Sequence, residues 1–106
     1  MGLFTRIESV DAGDALAQVR SGAAVLLDVR EQAEWNHDHV DGTLHIPLSR
    51  LKRRLAELPR DTTVITACRS GHRSAIAARM LTRTGYHAVN LRGGLGTWKR
   101  ARRKSR

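Results

Sequence analysis

Cys68 is the only cysteine in a chain of 106 residues, and the residues around it are the ones best suited to chemistry. The stretch Ala67-Cys68-Arg69-Ser70-Gly71-His72-Arg73-Ser74 follows a β-like run, Thr62-Thr63-Val64-Ile65-Thr66. It leads into a helical pattern from Ser74 to Leu81. A thiol at a strand end, followed by a glycine-bearing loop and a helix N-terminus, can have several backbone N–H groups aimed at its sulfur. A free thiol has a pKa of about 8.5, so only about 3% is ionised at pH 7. A helix N-terminus and nearby cations lower that value and expose the nucleophile. The amides of residues 69–73 can turn inward as an anion-binding nest, with Gly71 supplying the positive φ that such a turn needs. Arg69, next to the nucleophile, is placed to draw an anion to the mouth. Arg73 closes the loop, and either touches the anion or braces the loop against a carboxylate, for which Asp28 is the expected partner. Ser70, His72 and Ser74 are expected to cap the helix or tune access. The alternative for a lone cysteine is a buried structural thiol, against which this loop context argues.

The surrounding elements must hold that loop in place. Phe4 to Ile7 alternates and reads as a first strand. Ser9 is the expected cap of a helix carrying Ala15, Leu16 and Val19, with Gly22 as its stop. The apolar run from Ala23 to Val29 suits a strand buried on both faces of a parallel sheet. Asp28 and Arg30-Glu31 mark its C-terminal end, where open α/β sheets place their ligands. A short helix over Gln32 to Asn36, anchored by Trp35, precedes a loop and a third strand at Leu44 to Ile46. Ser49 is expected to cap a helix with Leu51, Leu55 and Leu58 on one face. A fourth strand spans Thr63 to Ala67, a fifth runs from Tyr86 to Leu91, and a final short helix starts at Leu95 and Trp98. Strands alternating with helices imply an α/β domain: a three-layer, five-stranded, mostly parallel sheet with helices on both faces.

The bulk numbers bound the function. A chain of this length makes one domain with a modest core, and at 4% aromatic residues that core is mostly aliphatic. No run is long and apolar enough for a transmembrane helix, the N-terminus lacks a signal pattern, and Arg6 stands where myristoylation needs a hydroxyl. One cysteine cannot form an internal disulfide, so a reducing, cytoplasmic setting is expected. The net charge is +9, but six of the cations fall in the last eight residues. A domain over 1–98 followed by a disordered basic tail over 99–106 is the expectation. Few aromatic residues interleave those cations, so nucleic-acid binding is not supported. His37, His39, His45 and His87 have no zinc-ligand spacing, and no metal or other cofactor is expected.

Four fragments in order now form a family pattern. They are Leu27-Asp28-Val29-Arg30-Glu31 with Glu34-Trp35; His39 to Pro47; Cys68 to Ser74; and Leu91 to Trp98. Over roughly residues 5–100 the chain resembles the single-domain rhodaneses. Two positions depart from that pattern, Ala67 before the cysteine and Asp38 before the His-Val pair. The resemblance implies a sheet of order 1-5-4-2-3 and a sulfurtransferase. Such an enzyme would move sulfane sulfur from thiosulfate, or from a protein persulfide, to cyanide, a thiol or a protein through a persulfide on Cys68. Cell-cycle phosphatases of similar fold resemble the loop too, but they place five residues between cysteine and arginine where this chain has four. A shorter loop makes a tighter cradle, suited to one sulfur rather than a tetrahedral phosphate. A non-catalytic interaction module is the remaining alternative, favoured in relatives that lack the cysteine.

Overall fold

The computed structural model describes residues 6–105. Five strands, β1 (Glu8–Val10), β2 (Ala24–Asp28), β3 (Leu44–His45), β4 (Thr63–Ala67) and β5 (Ala88–Leu91), form one sheet in the order β1-β5-β4-β2-β3. Every neighbouring pair is parallel. The connections are α1 (Ala12–Ser21), α2 (Gln32–His37), α3 (Leu48–Leu51), α4 (His72–Arg83) and, after β5, α5 (Leu95–Lys104). The alternation of side chains along a strand sorts the core into two layers. Leu26, Ile65, Val89 and Leu91 pack with Leu16 of α1 and Trp98 of α5. Leu27, Val64 and Ala88 pack with Leu51 of α3 and with Ala77 and Leu81 of α4. Sheet order and layering agree with the sequence-based expectation. Among the described residues, no helix is long and apolar enough to cross a membrane.

Four local expectations fail for identifiable reasons. The first strand lies at Glu8–Val10, paired with Val89–Leu91; Phe4 falls outside the described residues. It is an edge strand, so the open hydrogen bonds of β5 set its position, not an apolar pattern of its own. Ser9 is consequently in β1, and the cap of α1 is Asp11, whose Oδ1 accepts from Asp14 N at 2.9 Å. Gly22 ends α1 at φ 84°, as expected.

The helix expected from Ser49 through Leu58 is only the single turn of α3 and a 3-10 turn over Leu55–Glu57. In a continuous helix, the Leu55 carbonyl would accept from residue 59. That residue is Pro59, which has no N–H. Tyr86 Oη donates to the carbonyl instead, at 2.6 Å. Ser49 does not cap; its Oγ donates to Glu31 at 2.7 Å.

The basic end is not a disordered tail. Residues 99–104 continue α5, with Trp98 buried at its centre. Lys99 Nζ pairs with Asp38 at 2.7 Å, and Arg20 donates to Ser105 Oγ at 2.9 Å. Arg102, Arg103 and Lys104 occupy the last turn, where cations complement the helix dipole. Arg106 falls outside the described residues.

Candidate active site

β2 and β4 lie side by side with Asp28 opposite Ala67, so the loops that follow them share the C-terminal edge of the sheet. Cys68 is the first residue beyond β4 and is 1% exposed. The chain turns through Gly71 at φ 104°, the N-cap of α4, and no side chain caps this helix. The sulfur takes the place of a cap. Gly71 N donates to Sγ at 3.2 Å and Ser74 N at 3.3 Å. These are donors that a helix start otherwise leaves unsatisfied. Opposing effects act on the thiol. Burial pushes its pKa up, while hydrogen bonds from Ser74, Gly71 and Ser70 pull it down, and the net result lies below the ordinary thiol value. The cradle therefore favours negative charge on sulfur.

The loop is pinned from behind. Gly94 sits so close that a Cβ there would lie 2.0 Å from the Arg69 carbonyl oxygen and 2.9 Å from that of Cys68. Leu95 N, at the start of α5, donates to the Cys68 carbonyl at 2.9 Å. Asn90 on β5 holds the other side: its Nδ2 donates to the Gly71 carbonyl at 3.2 Å, and its Oδ1 accepts from Ser74 Oγ at 2.6 Å.

A rhodanese-like domain model matches residues 11–101. The chain belongs to the rhodanese-like domain family. It is 33% identical over 100 residues to the thiosulfate sulfurtransferase GlpE of Tolumonas auensis, covering 93% of this chain and 92% of that protein. It is 41% identical over 76 residues to the probable adenylyltransferase/sulfurtransferase MoeZ of Mycobacterium tuberculosis, and the match spans only 19% of that longer protein. The crystal structure of a rhodanese-related protein from Thermoplasma volcanium superposes with a TM-score of 0.78 at 31% identity, over 88% of this chain and 91% of that one.

Within this rhodanese-like domain the arginines separate. Arg73 braces: its Nη1 and Nη2 donate to the two carboxylate oxygens of Glu34 at 2.5 and 2.8 Å. Its hydrogen bonds hold the Glu34 carboxyl down at about 2. Arg69 is 78% exposed at the mouth, with a guanidinium nitrogen 3.9 Å from the same carboxylate. The expected partner of Arg73, Asp28, is engaged elsewhere. It is buried against Arg30, accepting from Arg30 N, Nε and Nη2 at 2.9 to 3.1 Å. Arg30 also donates to the Asp38 carbonyl at 2.7 Å. Asp28 and Arg30 thus form a closed pair beside the loop. Ser70 and His72 are exposed, whereas Ser74 is fully buried against the sulfur. Trp35 is half-buried, stacked between His39 and His45 with ring centroids 4.1 and 4.4 Å away.

Glu34 and Asn90 are the site residues that the residue-level reading did not single out. Glu34 lay within the family fragment Glu34-Trp35, but nothing local says that an α2 side chain reaches across to α4. Asn90 did carry a signal, being the one amide in the strand run Ala88-Val89-Asn90-Leu91. Among the described residues, no group of three or more His, Cys, Asp and Glu could hold a metal ion.

Proposed function

We propose that this domain is a sulfurtransferase that carries sulfane sulfur on Cys68. It takes the sulfur from thiosulfate or a persulfide donor and delivers it to a thiophilic acceptor such as cyanide, a small thiol or a protein thiol. The observation that carries this reading is the pair of amides, Gly71 N and Ser74 N, both within 3.3 Å of Sγ at the uncapped start of α4. The Cys68 thiolate attacks the outer sulfur of thiosulfate. A new S–S bond forms, the bond to the sulfonate sulfur breaks, and its electron pair leaves on sulfite. The charges balance: one negative charge on the thiolate and two on thiosulfate become one on the persulfide and two on sulfite. Sulfite is already an adequate leaving group, so no general acid is required. Arg69 at the mouth attracts the anionic donor, and the cradle amides stabilise the persulfide anion as they do the thiolate. Membership of the family and the likeness to a protein named thiosulfate sulfurtransferase support thiosulfate as one donor.

Incubation with thiosulfate should add one sulfur, about 32 Da, to the wild-type protein and nothing to Cys68→Ser. If neither protein gains mass, thiosulfate-driven loading is wrong. Phosphate release from an aryl phosphate without any thiosulfate turnover would overturn the reading in favour of a phosphatase. The four-residue span from Cys68 to Arg73 argues against that second outcome.

A further inference from the structure

The hydroxyl of Ser74 has one proton and two groups that want it. Its oxygen lies 3.3 Å from Cys68 Sγ and 2.6 Å from Asn90 Oδ1. The orientation of the Asn90 amide is decided by its second contact. The Gly71 carbonyl 3.2 Å away can only accept, so Nδ2 faces it and Oδ1 must face Ser74. In the thiol state the arrangement is complete: Sγ–H donates to Ser74 Oγ, and Ser74 Oγ–H donates to Asn90. Ionised sulfur cannot donate. Sulfur and oxygen would then face each other as two acceptors unless the hydroxyl turned away from Asn90. Ser74 is 0% exposed and Cys68 1%, so water does not readily make up the loss.

We propose that Asn90 is a positioning residue that holds the Ser74 hydroxyl away from Cys68 and so biases the site toward its sulfur-loaded form. This role rests on Cys68 carrying a persulfide, as proposed above. Once Cys68 carries a second sulfur, the negative charge moves out to that atom, Sγ no longer needs the Ser74 proton, and the bond to Asn90 is restored. The unloaded thiolate breaks a short bond to gain a long one; the loaded form keeps the short one. No proton leaves oxygen in this cycle, since the hydroxyl only turns. A thiolate that gains the Ser74 hydrogen bond only at the cost of the Asn90 one is less stabilised and so the better nucleophile, because nucleophilicity falls as thiol acidity rises.

Two measurements test the proposal. The first follows alkylation of Cys68 by iodoacetamide against pH in wild type, Asn90→Leu, Ser74→Ala and the double variant. Asn90→Leu keeps the branched shape, at a larger volume, and removes the acceptor, so its profile should move to lower pH. The shift should vanish in the Ser74→Ala background, where no hydroxyl is left to compete for. A purely structural role for Asn90, tethering Gly71, gives the opposite sign or a shift that survives in that background, and either result overturns the proposal. Asn90→Asp, nearly isosteric, should move the profile to higher pH. Its added charge does so through space as well, so the part of the shift that disappears in the Ser74→Ala background is the part that counts, and it keeps the test available if Asn90→Leu folds poorly.

The second measurement loads each protein with thiosulfate and titrates with sulfite. Asn90→Leu should unload at about three- to ten-fold less sulfite, and its loading rate above the thiol's titration range should fall about two- to five-fold. Unloading at unchanged sulfite overturns the bias toward the loaded form. Alkylation reports on Cys68 whether or not it accepts sulfur. A protein that never gains sulfur therefore defeats the sulfurtransferase reading, while the alkylation profiles still decide what Asn90 does to Ser74.

Discussion

The loops after β2 and β4 are built alike and finished differently. Each leaves the C-terminal end of a central strand, at positions paired across the sheet, and each enters a helix within a few residues. After β2 the chain supplies its own anions. Asp28 fills the turn and is closed by Arg30, and the N-cap Glu31 forms a reciprocal capping box with Glu34. After β4 the cap is Gly71, no side chain caps the helix, and its first turn has no acidic residue. The free amides turn to a sulfur instead. A helix start satisfied by carboxylates is a clasp, and the same start aimed at a cysteine is a cradle for whatever negative charge the sulfur carries.

Breaking the clasp should cost the most. Asp28 is 1% exposed, and its loss strands Arg30, which is 7% exposed. Removing one partner of a buried pair destabilises by about 3–5 kcal/mol. Asp28→Ala should therefore lower the urea midpoint severely, and a shift of under about 1 kcal/mol would mean that the clasp is not structural. Disturbing the cradle should cost less stability and more chemistry. In Gly94→Ala the new Cβ meets the Arg69 carbonyl, which is backbone and cannot swing aside. The Cys68 loop must move, and displacements near 1 Å at a reacting centre cost on the order of a hundred-fold in rate. Persulfide loading followed by mass should fall by about that factor while the circular dichroism spectrum stays native. Loading within two-fold of wild type would show that the cradle tolerates displacement.

That division also explains what could be read from the chain. Ala24–Asp28 is visible as a strand because burial on both faces demands a near-continuous apolar run, and Thr63–Ala67 because its β-branched residues favour a strand. The Cys68 loop is visible because its glycine, its arginines and its position between strand and helix are all local. Pairings across the sheet are not. From the sequence Asp28 is the expected partner of Arg73, since it ends the neighbouring strand. In the folded chain Arg30, two residues on, reaches it first, and Arg73 is left to Glu34. The basic end misled in a related way. A run of cations has no reason to order by itself, but the buried Trp98 in the same helix anchors it, and Asp38 and Arg20 from two other places hold it.

The smallest effect should come from the bond that joins the two loops. Glu34 belongs to both: its Oε1 accepts from Glu31 N at 3.0 Å within the clasp, and its carboxylate grips Arg73 behind the cradle. The hydrogen bonds from Arg73 lower its pKa from 4.5 to about 2. A carboxyl whose folded value is depressed contributes stability that is complete above its ordinary value and is lost as pH falls toward the folded one. The window for this pair is therefore pH 4.5 down to about 2. Glu34→Gln keeps the shape and an acceptor but not the charge. Urea midpoints across that window should flatten relative to wild type, with little difference between the proteins at the acid end. Because Arg73 and Glu34 are partly exposed, with side chains 32% and 24% accessible, the pair is screened and its effect on rate is modest. Loading should slow about three- to ten-fold at neutral pH as the guanidinium loses its brace. If Glu34→Gln loads at the wild-type rate while its acid window flattens, the brace serves stability alone and the two loops work independently. If loading slows and the window does not change, Arg73 acts on the donor directly.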